Sequence, residues 1–241
     1  MKKIIFMAVA FSLVLTAGVL EKIDSEHKIR IGIKYDTKPF GFKEGKKIKG
    51  FDLDFSKLIV AEIQKHEKLP KLKVFYKKVI PANRETMLAS GRVDMVIATY
   101  SITEARKKSV MFSVPYFTDG ISIVHRNGKI DTPVGVLQSA TAKAAVEKMG
   151  YQTQTFSNYD DLFRAFKEGK VDAIASNTSI LNSFIQSHQY GVTKTPEVDQ
   201  YAVGLPKDDE AFKKMIDEII VRLKKSGAYE KLHDKWFGSD V

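Results

Sequence analysis

The stretches SGRVDMVIATYS (90–101) and EGKVDAIASNTS (168–179) align at an offset of 78 residues, with Gly91 over Gly169, Asp94 over Asp172 and Ser101 over Ser179. Each reads as the end of a helix, a glycine stop, a short apolar strand and then small polar residues. A weaker echo pairs IRIGIK (29–34) with TPVGVL (132–137). A chain that writes the same helix–strand unit twice is confined to few architectures. Two similar α/β lobes account for both echoes; chance recurrence of a common pattern also accounts for them.

Short apolar runs and amphipathic segments alternate along the rest of the chain. The runs predict strands over 29–34, 72–76, 93–98, 121–125, 133–137, 171–176 and 201–205. Helical patterns fall on 51–66, 81–89, 140–149, 159–167, 178–187, 209–225 and 228–236. Such alternation predicts parallel sheets covered on both faces. Open α/β sheets bind ligands just past the carboxyl ends of their strands. The residues there are Lys34, the run Ala98, Thr99, Tyr100 and Ser101, the run Leu137 to Ser139, and Ser176 with Asn177. All but Lys34 are apolar or neutral polar residues, and the polar ones suit a small polar solute. Lys34 ends a strand built on Ile29, Ile31 and Ile33. It either reaches solvent or awaits an anion.

With 241 residues, 44% of them hydrophobic and 28% charged, the chain can form one large domain or two small lobes. Its formal charge is +10, which suits an anionic ligand, an anionic membrane surface or nucleic acid. The lysines are scattered without an arginine–aromatic stripe, which argues against nucleic acid. MKK, an apolar run IIFMAVAFSLVL and the small residues TAG read as a signal peptide over residues 1–18. This places the chain in the periplasm or outside the cell. LTAGV resembles a lipoprotein signal, but Val19 stands where a lipidated cysteine would be. There is no cysteine anywhere, so there are no disulfides. The five histidines lack metal-ligand spacing, and no phosphate loop or nucleophile elbow is present. No metal, cofactor or catalytic residue is therefore expected.

Five segments in order bring the chain into register with a known family. They are GFDLDFSKLIVAEI (50–63), MLASGRVDMVIATYSITEARKKSVMFSVPYF (87–117), GVLQSATAKAAVEK (135–148), EGKVDAIASN (168–177) and LKKSGAYEKLHDKWFG (223–238). The chain resembles solute-binding family 3, the polar amino acid-binding proteins of ABC importers. The resemblance implies two Rossmann-like lobes joined by two hinge strands, the type II periplasmic binding protein fold. One lobe would comprise 26–117 plus 201–241 and the other 118–200, with crossings near 118–122 and 197–200. It also implies a monomer that delivers an amino acid to a membrane permease.

The family's binding positions carry over one by one. Arg106 matches the arginine that grips the α-carboxylate, with Ala98, Thr99 and Ser101 beside it. Phe51 matches an aromatic that packs on the ligand. Ala140 and Thr141 match a far-lobe loop with backbone donors. Lys34, Arg84 and Tyr159 resemble the aspartate- and glutamate-binding members. The family's usual aspartate for the α-ammonium is Asn177 here. That departure admits weaker binding, an amine-free dicarboxylate, or a compensating acid such as Asp160 or Asp161. Glutamine is the other amino-acid reading. Periplasmic dehydratases share the fold, and an adhesive or sensory role stays open.

Overall fold

In the computed structural model, which describes residues 18–69, 71–126, 128, 130, 133–185 and 190–238, the opening apolar alternation forms β1 (Lys28–Ile33). Ile29, Ile31 and Ile33 are fully buried in it. β5 (Lys73–Lys78) and β6 (Met95–Val96) flank β1 and run parallel to it. Next comes β13 (Gly204–Leu205), antiparallel to both β6 and the edge strand β7 (Met111–Phe112). A second five-stranded sheet has the order β10 (Thr153–Phe156), β9 (Val134–Leu137), β11 (Ala173–Asn177), β8 (Phe117–His125), β12 (Gly191–Tyr201). β9 is parallel to β10 and β11, whereas β8 is antiparallel to β11 and β12.

The sheets are thus mixed, which corrects the expectation of parallel ones. Strands reached through a helical crossover lie parallel. β8 and β13 are reached directly from the other sheet and enter reversed. They mark where the chain changes bodies. Thr118, Asp119 and Gly120 of β8 pair with Gln200, Asp199 and Val198 of β12, and Tyr201 bridges to Ser101 at the edge of the first body. Two Rossmann-like bodies joined by two hinge strands are the result.

Helices cover each sheet. α2 (Phe51–His66), α8 (Glu210–Lys225) and α9 (Ala228–Phe237) pack on one another and on the first sheet. Phe51, Phe55, Ile59 and Ile63 form the fully buried stripe of α2, spaced by four residues as a helix face requires. Asp52 and Asp54 sit in its first turn, where the positive end of the helix favours them. α3 (Arg84–Ala89) lies against β6, and α4 (Glu104–Lys107) follows the segment 97–103 that leaves β6. α5 (Thr141–Lys148), α6 (Tyr159–Lys167) and α7 (Thr178–Phe184) pack on the second sheet.

Besides the short strands β7 and β10, three features were not anticipated. α1 (Val19–Glu26) buries Val19 and Ile23, and the Val19 N–H donates to Asp209 Oδ2 at 2.8 Å. The first body therefore begins before residue 26. Of the signal segment expected over 1–18, residues 1–17 lie outside the described residues. A small sheet of β2 (Asp36–Thr37), β3 (Gly41–Glu44) and β4 (Lys47–Lys49) is too short and lysine-rich to show an apolar period. β12 begins ten residues before the predicted strand, because its first residues alternate with little full burial.

The junction between β4 and α2 places the small sheet. Gly50 has φ 129, and a Cβ there would lie 2.0 Å from the Phe40 carbonyl oxygen. That carbonyl accepts the Asp52 N–H at 2.8 Å. Gly50→Ala should lower the unfolding free energy by about 3 kcal/mol. Gly91→Ala, at φ 65 with nothing within 4 Å, should cost only about 1 kcal/mol. Urea denaturation compares them, and equal losses would mean that the Gly50 junction relaxes freely.

Candidate functional site

β6 ends at Val96, and the chain leaves the sheet through Ile97 and Ala98 to Thr99. Thr99 has φ 45, a left-handed backbone that β-branched residues rarely adopt. Neighbours hold it from three sides. Its N–H donates to Asp52 Oδ2 at 3.0 Å, its carbonyl accepts from Arg84 Nη1 at 3.2 Å, and its Oγ1 accepts from Lys34 Nζ at 3.4 Å. Asp52 Oδ1 accepts the Tyr116 hydroxyl at 2.9 Å. Burial pushes the Asp52 carboxyl up to about 6, opposed by the bonds from Tyr116 and Thr99. Strained backbone held this firmly is characteristic of ligand loops.

Lys34, Arg84 and Arg106 meet around this loop. Arg84 Nη1 also donates to the Ala98 carbonyl at 3.0 Å, and its guanidinium lies 4.0 Å from the centre of the Tyr100 ring. Arg106 lies 5.2 Å from the same ring and donates to Ser101 O at 2.7 Å and to Ser139 O, in the second body, at 2.8 Å. Lys34 Nζ stands 4.8 Å from the centre of the Tyr159 ring. Lys34 and Arg84 are each 3% exposed. Burial pulls Lys34 down to about 8, with Asp36 acting against it, and pulls Arg84 down to about 10, with Arg106 adding to the shift. Burial also lowers Arg106. None of the three forms an ion pair among the described residues, and the buried Arg84 Nε has no hydrogen-bond partner there.

The second body contributes neutral groups. The Tyr159 hydroxyl bonds to Ser176 Oγ at 2.5 Å, and its N–H donates to Asp36 Oδ2 at 3.2 Å across the two bodies. Thr141 opens α5 and Asn177 ends β11. Both point at Asp199 of β12, a residue the sequence reading missed. Asp199 Oδ2 accepts from Thr141 Oγ1 at 2.6 Å, Asn177 Nδ2 at 2.8 Å and Ser101 Oγ at 2.9 Å. The signal for Asp199 was faint: it alternates with exposed Val198 and Gln200 and shares the buried face of Tyr201.

Lys34, Arg84, Thr99, Ser101, Arg106, Thr141, Tyr159 and Asn177 are thus brought together through shared partners. Three expectations need correction. Phe51 is fully buried, its ring among Phe40, Phe55, Tyr116, Phe117 and Phe237, and belongs to the aromatic core. The Ala140 N–H is turned to Leu137 O at 3.3 Å and is not a free donor. Asp160 is exposed, while Asp161 donates its N–H to the capping Asn158 and pairs with Arg164, so neither is the compensating acid. A groove of about 830 Å³ lies elsewhere, between residues 114–118 and α8 and α9, and contains none of the three cations.

Residues 29–239 match the bacterial extracellular solute-binding proteins, family 3, and the chain belongs to that family. The ABC transporter glutamine-binding protein GlnH of Bacillus subtilis is 32% identical over 236 residues, 92% of this chain and 85% of the relative. The L-glutamate/L-aspartate-binding protein of Pseudomonas aeruginosa is 28% identical over 246 residues, 93% of this chain and 81% of that one. A solved ancestral amino acid-binding protein, described as a precursor of cyclohexadienyl dehydratase, superposes with a TM-score of 0.82 at 26% identity. That match covers 92% of this chain and 100% of the ancestor. The protein is a solute-binding protein of the type that serves ABC amino-acid importers. No described helix is long and apolar enough to cross a membrane.

Lys34 has a consequence for stability. Its side chain is at about 8 when folded and at an ordinary 10.5 when unfolded. Between those values the unfolded chain holds a proton that the folded chain has released, so this group's contribution to stability rises with pH across the window. Lys34→Met should therefore stabilise the ligand-free protein at pH 7 by up to about 3 kcal/mol. The gain should shrink towards pH 10. Urea titrations at both pH values test it, and a gain equal at both would show that burial of charge is not the cause.

Proposed function

We propose that this chain is the extracytoplasmic component of an ABC importer that captures an acidic amino acid, glutamate or aspartate, between its lobes. Lys34 carries the reading. Its ammonium is 3% exposed and meets one hydroxyl, at 3.4 Å, with no ion-pair partner among the described residues. A buried ammonium in that state requires an acceptor from outside the chain. Arg84, equally buried, shares the requirement, and the half-buried Arg106 adds a third positive charge. Two ligand carboxylates balance most of this charge, and a basic ligand is repelled.

Arg106 takes the α-carboxylate, for which its planar fork is suited, with Thr99 and Ser101 assisting. Lys34 takes the side-chain carboxylate, with Arg84 nearby and Tyr159 closing over it. The lobes are 118–200 and the remainder of the mature chain, which is exported by the signal segment. A loaded, monomeric binding protein then delivers its ligand to the membrane permease. The name of the Pseudomonas aeruginosa relative supports an acidic ligand. Glutamine is the second reading, supported by the name of the Bacillus subtilis relative, since an amide carbonyl also accepts from Lys34. Both names support capture and release over catalysis.

Calorimetric titration with glutamate, aspartate, glutamine and arginine tests the reading. The wild type should prefer glutamate or aspartate. Lys34→Met should cost about 2–4 kcal/mol for these ligands and about 1 kcal/mol for glutamine. A wild type that prefers glutamine or arginine would sink the acidic assignment.

A further inference from the structure

We propose that Asp199, on the second hinge strand, receives the amine of the ligand, and that Asn177 positions this carboxylate. The inference rests on the reading of the site as one for an α-amino acid. It starts from a mismatch of charge. Three cations face the site with no ion pair among the described residues, and Asp199, whose charge is felt by Arg106, is likewise a buried carboxylate without an ion-pair partner there. Its Oδ2 draws donors from three elements: Ser101 in the first body, Thr141 at the start of α5 and Asn177 at the end of β11. Each of those donors belongs to the site. No described donor reaches Oδ1, which is the oxygen left for a ligand ammonium.

This geometry also accounts for asparagine at position 177. Asp199 can only accept, so Asn177 must present its NH₂ to it, which it does at 2.8 Å. An aspartate at 177 would set two carboxylates at that separation, and they could not both ionise. In this chain the carboxylate lies on the hinge strand, and a neutral donor stands at the end of β11. Hydrogen bonds to both bodies hold Asp199 where the strands cross, so an amine bound there contacts the segment that bends on opening.

Two variants and a pair of ligands separate amine recognition from a structural role. Glutarate carries the two carboxylates of glutamate without its amine. Asp199→Asn should weaken glutamate at least tenfold, because a charge-assisted bond is lost. It should strengthen glutarate, because a negative charge leaves the site. Asn177→Asp alone should weaken glutamate. The double variant Asn177→Asp/Asp199→Asn should recover glutamate binding to within a few fold of wild type, since one carboxylate again faces the amine. Equal weakening of both ligands by Asp199→Asn would assign it a purely structural role and overturn the proposal. Unchanged glutamate binding, or a double variant without recovery, would overturn it too. A wild type that binds glutarate but not glutamate would remove the amino-acid reading as well. If glutamine is the better ligand, the same comparison with glutaramate, its amine-free counterpart, tests Asp199 independently of the acidic assignment.

Discussion

The carboxylate of Asp52 is the contact on which the binding loop depends. It stands in the first turn of α2, fully buried, and accepts both the Thr99 N–H and the Tyr116 hydroxyl. Thr99 would not choose a φ of 45 unaided. With Asp52 on its N–H and Arg84 on its carbonyl, the strained peptide has nowhere else to go. Its hydroxyl then faces Lys34, and the chain continues into Ser101 and the cap of α4. The helix start, the loop after β6 and the entry to the hinge are thereby tied to one side chain.

Around that loop the fold collects cations that form no ion pair among the described residues. Lys34, Arg84 and Arg106 are held by carbonyls, a hydroxyl and aromatic faces. Such groups orient a cation but do not offset it. The ligand-free protein therefore carries an electrostatic cost where its function lies, a common relation between stability and activity. Aromatic packing supplies a rigid counterweight. Phe40, Phe51, Phe117, Tyr201 and Phe237 interlock where α2, α9 and the hinge strands converge.

The hinge does more than connect. Asp119 and Asp199 face each other in its two strands. Asp119 accepts from the Ser179 N–H, while Asp199 gathers donors from both bodies. Burial pushes the Asp119 carboxyl up to about 6, and Asp199 adds to the shift. Like charges opposite one another do not stabilise a strand pair. Separate donors hold each of them in place.

Much of the architecture was legible from the residues. The repeated helix–strand unit indicated two bodies, and the period of 51–66 set the whole of α2, because burial of one face leaves its stripe in the sequence. The ends of strands pointed to Lys34, Thr99, Ser101 and Asn177. Local pattern was insufficient where position depends on a distant partner. β2 to β4, β7 and β10 are short, and β8 and β13 run backwards only because the chain has already crossed between sheets. Phe51 and Arg84 show the same limit. A phenylalanine on an apolar stripe and an arginine at a helix start have no sequence mark that says core or cleft; the rings around one and the carbonyls around the other decide it. The repeated unit and the alternating pattern pointed to two α/β bodies with ligand positions at strand ends, Lys34 among them, and the family resemblance added Arg84 and Arg106. Only the tertiary structure could bring Asp199 to Ser101, Thr141 and Asn177, because hydrogen bonds among four separate elements depend on how the sheets face each other and leave no period in the chain.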